Sequence, residues 1–215
     1  PMMVGNKEPS FAWMDEGLNT LLNHYSNLAF YGKDAQRVRA TIPGYIVDRM
    51  LEPTHDQPVM TYADHIRREG LGFIAYRKPG FAMILLREVV LGPEVFDAAL
   101  REYIDRWAYK HPQPADLFRT FEAVSGENLD WFWRGWFFST DLLDQAVDSV
   151  TTTDARTFVH LSNREGLVMP VTLEVEYDDG AIERHELPVE IWLRADSYAY
   201  ELPGARKDVT RVTVD

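Results

Sequence analysis

The 215-residue sequence contains no cysteine. Disulfide bonds and thiolate metal sites are therefore both excluded. Basic residues are scarce too, since 22 lysines and arginines stand against 34 aspartates and glutamates and the formal net charge is −12. Such an acidic chain is poorly suited to bind nucleic acid or an anionic membrane surface, because phosphate groups repel it. We therefore predict no nucleic-acid partner.

Long hydrophobic runs are missing as well. No stretch approaches the ~20 apolar residues of a membrane-spanning helix, so we predict no membrane-spanning segment. The sequence opens Pro1-Met2-Met3-Val4-Gly5, without the basic and apolar regions of a signal peptide. We expect from this start that the chain is a piece of a longer protein, and we assign it no cellular compartment.

The residues that are present suffice for a real core, since 46% are hydrophobic and 13% aromatic. Their patterning changes near Asp144, from helical spacing to short β-branched and aromatic runs. The sequence therefore predicts an α+β protein in which residues 1–144 form an α-rich domain and residues 145–215 an antiparallel β-sandwich.

Helices are predicted from apolar spacing and from their end signals. Apolar residues recur at helical spacing over 10–31, and Gly32 follows as a stop. A second helix over 33–51 is weakened by Pro43-Gly44. Further helices are predicted over 94–108 and 116–125, and the six aromatics within 128–138 indicate a buried helix.

Strands are predicted in the last third of the sequence. The run VTLEVEY, 171–177, alternates apolar and polar residues, and Asp178-Asp179-Gly180 after it is a hairpin turn signal. Further strand-like runs are FVHLS, IWLRA, SYAYEL and VTRVTV, at 158–162, 191–195, 197–202 and 209–214.

Two adjacent carboxylates interrupt the apolar face of the first helix. Asp15 and Glu16 lie among Trp13, Met14 and Leu18. A carboxylate beside large apolar side chains costs free energy unless something such as a metal ion neutralises it. The zinc motif H-E-x-x-H does not occur in the sequence, because none of the six histidines has another histidine four residues away. From the residues alone, both acids are best interpreted as N-terminal helix acids stabilised by the helix dipole.

Residues 1–22, PMMVGNKEPSFAWMDEGLNTLL, resemble the segment that directly follows H-E-x-x-H in M1-family zinc aminopeptidases. That family's motif runs H-E-x-x-H-x18-E, and its third zinc ligand lies in W-x-x-E-G-(F/L), which Trp13, Glu16, Gly17 and Leu18 match. The resemblance implies that Glu16 is a zinc ligand. It also implies that the second histidine lies 19 residues before Glu16, N-terminal to Pro1.

A second match supplies a catalytic candidate. Ala75-Tyr76-Arg77-Lys78 resembles the family's Y-x-K segment, whose tyrosine stabilises the oxyanion at the scissile carbonyl. The commonest family form continues with glycine, whereas here Pro79 stands in that place and Gly80 follows. The remaining helical sequence and the closing strands also resemble the family, so the resemblance spans nearly the whole chain.

The resemblance implies a fragment of a zinc-dependent aminopeptidase that acts on peptide substrates. The fragment would comprise the helical half of a thermolysin-like catalytic domain and the β-sandwich after it. Zinc would be held by Glu16 and two upstream histidines, and Tyr76 would act in catalysis. Because these 215 residues lack H-E-x-x-H, we expect the isolated chain to be inactive and to bind zinc poorly. Exposed apolar surface on such a fragment would favour self-association.

Two other functions stay open at this point. The chain could be a non-catalytic module that binds peptides or proteins, if its parent protein has lost H-E-x-x-H. The parent could also be a related zinc hydrolase that acts on epoxides. The residues encoded before Pro1 separate the first alternative from a peptidase.

Overall fold

The computed structural model describes residues 3–32, 49–52, 55–153, 156–204 and 208–214. The chain divides into two compact units, Pro1–Thr140 and Asp141–Asp215. The described part of the first unit is helical and that of the second is built from strands, which confirms the predicted α+β class. The assignment of 1–144 and 145–215 as two domains stays a prediction. Most of the predicted helix over 33–51 lies outside the described residues.

The first helix, α1, runs from Glu8 to Tyr31. It begins two residues before the predicted start because Pro9 suits the first helical turn, where no N–H bond is lost. It ends where predicted, at Gly32, whose φ of 79° is readily adopted by glycine. Phe11 departs from helical geometry at φ −138° and ψ 63°, which places a kink in the first turn.

The second helix, α2, spans Lys78–Leu85 and continues directly from one π-helical turn into another. The turn before it is Gly72–Arg77 and the turn after it is Leu86–Val90. The side chains from Lys78 to Ile84 are all buried. A helix that is buried on every side needs no polar face, which explains the long apolar run in this part of the sequence.

Three further helices complete the described part of the first unit. They are α3, Pro93–Trp107; α4, Pro114–Ser125; and α5, Asp130–Trp133, which passes into the π-helical turn Arg134–Phe138. The predicted helices over 94–108 and 116–125 are thus confirmed to within two residues. None of the helices in the described residues combines the length and apolar character needed to cross a membrane.

Aromatic rings join α1 to the later helices. The ring of Phe118 stacks on that of Trp133 at 4.4 Å between centroids, and the ring of Trp13 lies 4.7 Å from that of Phe137. The prediction that the aromatic run over 128–138 belongs to the core is confirmed for most of its members, which are at most 3% exposed. Phe138 differs, since half of its side chain is exposed.

Six strands form two antiparallel three-stranded sheets in the second unit. They are β1, Gln145–Thr152; β2, Thr157–Asn163; β3, Val171–Tyr177; β4, Ile182–Leu187; β5, Ser197–Glu201; and β6, Val209–Val214. The strand orders are β1-β2-β5 and β4-β3-β6. Alternate residues of β2 and β3 are buried, so both sheets contribute to one hydrophobic core. The predicted hairpin turn is confirmed, with Gly180 at φ 81°.

The predicted strand over 191–195 is wrong. Its first two residues belong to a short 3₁₀ turn, Val189–Trp192, in which the Ile191 amide donates to the carbonyl of Pro188 at 3.3 Å. Pro188 offers no N–H to a strand ladder, and the turn brings Trp192 into the hydrophobic core, where it is 5% exposed. Burial of one large ring therefore outweighs the strand preference of the neighbouring residues.

Arg87, in the π-helical turn after α2, forms an ion pair with Asp97 of α3 that includes two hydrogen bonds. The Arg87 Nε donates to Asp97 Oδ1 at 2.8 Å and its Nη2 donates to Asp97 Oδ2 at 3.0 Å. The Arg87 guanidinium also lies 4.4 Å from the ring centroid of Tyr25 in α1. These hydrogen bonds hold the pKa of Asp97 below its usual value.

Asp97→Asn is expected to lower the free energy of unfolding at pH 7 by about 0.5–1 kcal/mol, a value that allows for solvent screening of this half-exposed pair. Because the folded-state pKa of Asp97 is depressed, the pair stabilises the fold above the unfolded pKa of about 3.9 and stops doing so as pH falls through the lower folded value. Urea unfolding at several pH values should show the two proteins converging below about pH 4. Asp105→Asn, an exposed change in the same helix, is the control; a difference that does not shrink as pH falls below about 4 would contradict the prediction.

Candidate active site

Glu16 and Tyr76, the two predicted site residues, lie side by side in the structure. Glu16 is in the third turn of α1, and Tyr76 is in the π-helical turn that leads into α2. The Tyr76 hydroxyl donates a hydrogen bond to Glu16 Oε1 at 2.6 Å. The fold therefore brings together two residues that stand 60 positions apart in the sequence.

The π-helical turn contributes directly to this geometry. Its i→i+5 hydrogen bonding accommodates an extra residue relative to an α-helix, so the side chains before and after it change register. Tyr76 lies near its end and is 38% exposed, whereas Phe73, Ile74 and Ala75 just before it are buried. The phenol is thus anchored on a buried segment and directed toward solvent beside Glu16.

The surroundings of Tyr76 keep its hydroxyl protonated. The hydrogen bond to Glu16 raises the pKa of Tyr76 to about 12, and burial together with the negative charges of Glu16, Asp15 and Glu8 acts in the same direction. At neutral pH the phenol is therefore a hydrogen-bond donor rather than an anion.

Glu16 fits one position of a zinc site. Its carboxylate is half-buried, and within the described ranges it is paired with a neutral phenol and not with a lysine or arginine. A carboxylate of this kind is suited to a divalent cation. Across the same ranges, no group of three or more histidines, cysteines, aspartates or glutamates could hold a metal ion. The residues present thus fit one ligand, and the other ligands would have to come from elsewhere.

Three histidines of the first unit have neighbours other than Glu16 and Tyr76. The ring of His55 stacks on Phe73 at 4.2 Å, and its Nδ1 lies 2.5 Å from the carbonyl oxygen of Arg49. His111 packs against Gly5 in the turn before α4. Burial lowers the pKa of His24, although the charge of Glu88 opposes this shift.

Sequence reasoning missed the buried lysine beside the site. Lys78 is 2% exposed, and its Nζ donates to the carbonyl of Ser139 at 3.1 Å. This hydrogen bond links the start of α2 to the end of the turn after α5. A lysine inside an apolar run was the signal that could have identified a buried, partnered charge.

An apolar groove of about 410 Å³ borders the opposite side of α1. The N-terminal segment, α1 and α3 line it, chiefly through Val4, Leu18, Leu22, Leu100 and Ile104. Leu22 and Phe30 on α1 are 46% and 80% exposed. The predicted exposed apolar surface is thus present, while self-association stays a prediction.

Comparison with known proteins identifies the family. Residues 3–136 match the peptidase family M1 domain. This match covers more than half of the chain, and the chain therefore belongs to peptidase family M1.

Individual relatives are distant and much longer. Aminopeptidase M1-A of Oryza sativa subsp. japonica is 26% identical over 129 residues, which are 58% of this chain and 14% of that protein. Aminopeptidase M1-C of the same organism is 30% identical over 118 residues, 54% of this chain and 13% of that protein. The chain thus spans about a seventh of the length of the curated relatives that it matches.

A solved structure shares the fold. The crystal structure of Legionella pneumophila aminopeptidase A in complex with aspartic acid matches with a TM-score of 0.60 at 15% identity. The match covers 92% of this chain and 22% of that chain. The match therefore includes residues of both the helical unit and the β unit.

Proposed function

We propose that this chain is part of a zinc-dependent aminopeptidase, which removes N-terminal residues from peptides. It would supply the helical half of a thermolysin-like catalytic domain and a β-sandwich that follows it. The hydrogen bond between Tyr76 and Glu16 carries the proposal. The Tyr76 hydroxyl and Glu16 Oε1, on two segments that resemble separate parts of the M1 active site, lie 2.6 Å apart, which supports the proposal.

Glu16 would be the carboxylate ligand of the zinc, and two histidines of an H-E-x-x-H helix would complete the protein ligands. Bound zinc would supply Lewis-acid activation of a water molecule and of the scissile carbonyl. The α1 backbone holds Glu16 in place, since Trp13 and Gly17 on either side of it are buried. This support limits the movement of the carboxylate.

Tyr76 would stabilise the negative charge that develops on the carbonyl oxygen of the substrate. A phenol with the ordinary tyrosine pKa of about 10 keeps its proton at neutral pH, so the hydroxyl can donate to an oxyanion. In the structure this proton is donated to Glu16. With substrate present, the hydroxyl would donate to the oxyanion in place of Glu16.

The residues encoded immediately before Pro1 test the proposal first. We expect H-E-x-x-H, with its second histidine 19 residues before Glu16. The full-length protein should then contain about one zinc per chain and cleave aminoacyl-p-nitroanilides but not N-acetylated ones. Loss of the motif would overturn the proposal in favour of a non-catalytic binding module. Turnover of epoxides without peptide hydrolysis would instead assign a related zinc hydrolase.

The isolated 215-residue chain is expected to show no aminopeptidase activity, because its sequence contains neither the histidine ligands nor the general base of H-E-x-x-H. The measurement is hydrolysis of leucine p-nitroanilide with added zinc. The chain with Tyr76→Phe serves as the matched control for contaminating peptidases. Hydrolysis that a chelator abolishes and that Tyr76→Phe reduces would contradict this expectation.

A further inference from the structure

The segments that carry Glu16 and Tyr76 approach each other most closely at two glycines. A Cβ added at Gly17 would lie 2.8 Å from both Cβ and Cγ of Pro79. A Cβ added at Gly80 would lie 2.7 Å from Thr20 Cγ2 and 3.2 Å from the carbonyl oxygen of Gly17. Contacts shorter than 3.0 Å are not tolerated by a Cβ atom, so only glycine fits at either position without movement of its neighbours.

The groups that face these glycines cannot easily move away. The Thr20 hydroxyl donates to the carbonyl of Glu16 at 2.7 Å, which fixes the rotamer that presents Cγ2 to Gly80. Pro79 has a rigid ring and lies in the first turn of α2, where its backbone is buried. An added methyl group at Gly17 must therefore push the two helix backbones apart.

The close contact at Gly17, Pro79 and Gly80 also affects the hydrogen bond between Tyr76 and Glu16. Glu16 directly precedes Gly17 in α1, and Tyr76 precedes Pro79 by three residues in a continuous helical segment. The hydrogen bond between Tyr76 and Glu16 is 2.6 Å long, so a separation of the helices by about 1 Å would stretch it beyond bonding distance.

We infer that Gly17, Pro79 and Gly80 are positioning residues, whose close contact sets the distance between the Glu16 carboxylate and the Tyr76 hydroxyl. The glycines permit the approach, and the Pro79 ring against Gly17 stops it at the required spacing. The inference rests on the proposed function only for its catalytic consequence, because the hydrogen bond belongs to the chain itself.

A double-mutant cycle on the 215-residue chain tests the inference, with urea unfolding as the measurement. In the unmodified chain, Tyr76→Phe should lower the equilibrium constant for folding by about five- to tenfold, as for a partly exposed hydrogen bond to a charged group. In the Gly17→Ala background the same change should lower it by less than about twofold, since the hydrogen bond is already lost.

Pro79→Gly provides the rescue. It removes both atoms that an alanine at position 17 would meet, so Tyr76→Phe should again lower the folding constant about five- to tenfold in the Gly17→Ala/Pro79→Gly background. Gly72→Ala is the matched control, because no atom lies within 4 Å of a Cβ added there. A merely structural effect of Gly17→Ala would lower stability without changing the effect of Tyr76→Phe.

Each result decides the inference. An undiminished effect of Tyr76→Phe in the Gly17→Ala background would overturn it, as would the absence of any effect in the unmodified chain. If Gly17→Ala prevents folding, folding of Gly17→Ala/Pro79→Gly with the full Tyr76→Phe effect supports the inference, and its failure to fold contradicts it. Failure of the full-length protein to bind zinc would instead count against the proposed function.

Discussion

Replacing Tyr76 by phenylalanine in the zinc-loaded peptidase that we propose is expected to lower kcat by about 100- to 1000-fold, while KM changes little. The substitution removes one hydroxyl and leaves the ring on its buried helical segment. In the proposed mechanism the hydroxyl donates to the substrate only when the oxyanion forms in the transition state, so kcat and kcat/KM should fall by the same factor. Steady-state kinetics with aminoacyl-p-nitroanilides measure both.

Two controls distinguish a catalytic role of Tyr76 from a loss of folded structure or of bound zinc. Because the Tyr76 hydroxyl is hydrogen-bonded to the proposed ligand Glu16, its loss should weaken zinc binding, and kcat of both proteins is therefore measured at saturating zinc. Tyr109→Phe, at a tyrosine that is 82% exposed, should leave kcat within about twofold. A Tyr76→Phe enzyme that keeps its kcat would show that another group stabilises the oxyanion.

The sequence predicted the elements whose signals are local. The C-terminal ends of α1 and α4 and the start of α3 were predicted to within one residue, because the adjoining Gly32, Gly126 and Gly92 each adopt a positive φ that glycine favours. The strand β3 was predicted because its apolar residues alternate, and the structure buries every second one. In each case a few neighbouring residues determine the conformation.

Features that depend on tertiary packing were not predictable in the same way. The π-helical turns have no apolar period of their own, and the turn before α2 is held by burial of Phe73, Ile74 and Ala75. The turn that buries Trp192 was predicted as a strand, because β-branched and aromatic content does not distinguish the two.

The candidate site likewise combines residues that the sequence identified with a contact that depends on tertiary packing. Glu16 and Tyr76 were found by resemblance to family segments, residue by residue, without any indication from spacing that they touch. Their contact depends on the approach of two helices at Gly17 and Gly80, and the sequence contains these glycines without showing what they face. A half-buried carboxylate beside apolar residues of a helix signals a partner, and the structure shows that this partner is Tyr76.

Glu16→Gln in the full-length protein is expected to weaken zinc binding by at least about 100-fold, since loss of a side chain that only hydrogen-bonds to a zinc ligand already costs about 10- to 100-fold. The amide keeps the size of the side chain and its acceptor for the Tyr76 hydroxyl, but it lacks the negative charge that the metal ion requires. Competition with a chelating dye gives the dissociation constant of zinc for each variant.

Asp15→Asn is the matched control for this measurement, because it removes the same charge one residue earlier in α1. Asp15 faces the apolar groove bordered by Leu18 and Leu22, whereas Glu16 faces Tyr76. Neighbouring residues of a helix point about 100° apart, so a ligand role for Glu16 leaves no such role for Asp15. Zinc affinity should therefore change by less than about threefold in Asp15→Asn, which reports only the general effect of charge. Equal losses in the two variants would mean that the acidic helix attracts zinc as a whole, and Glu16 would lose its assignment as a ligand.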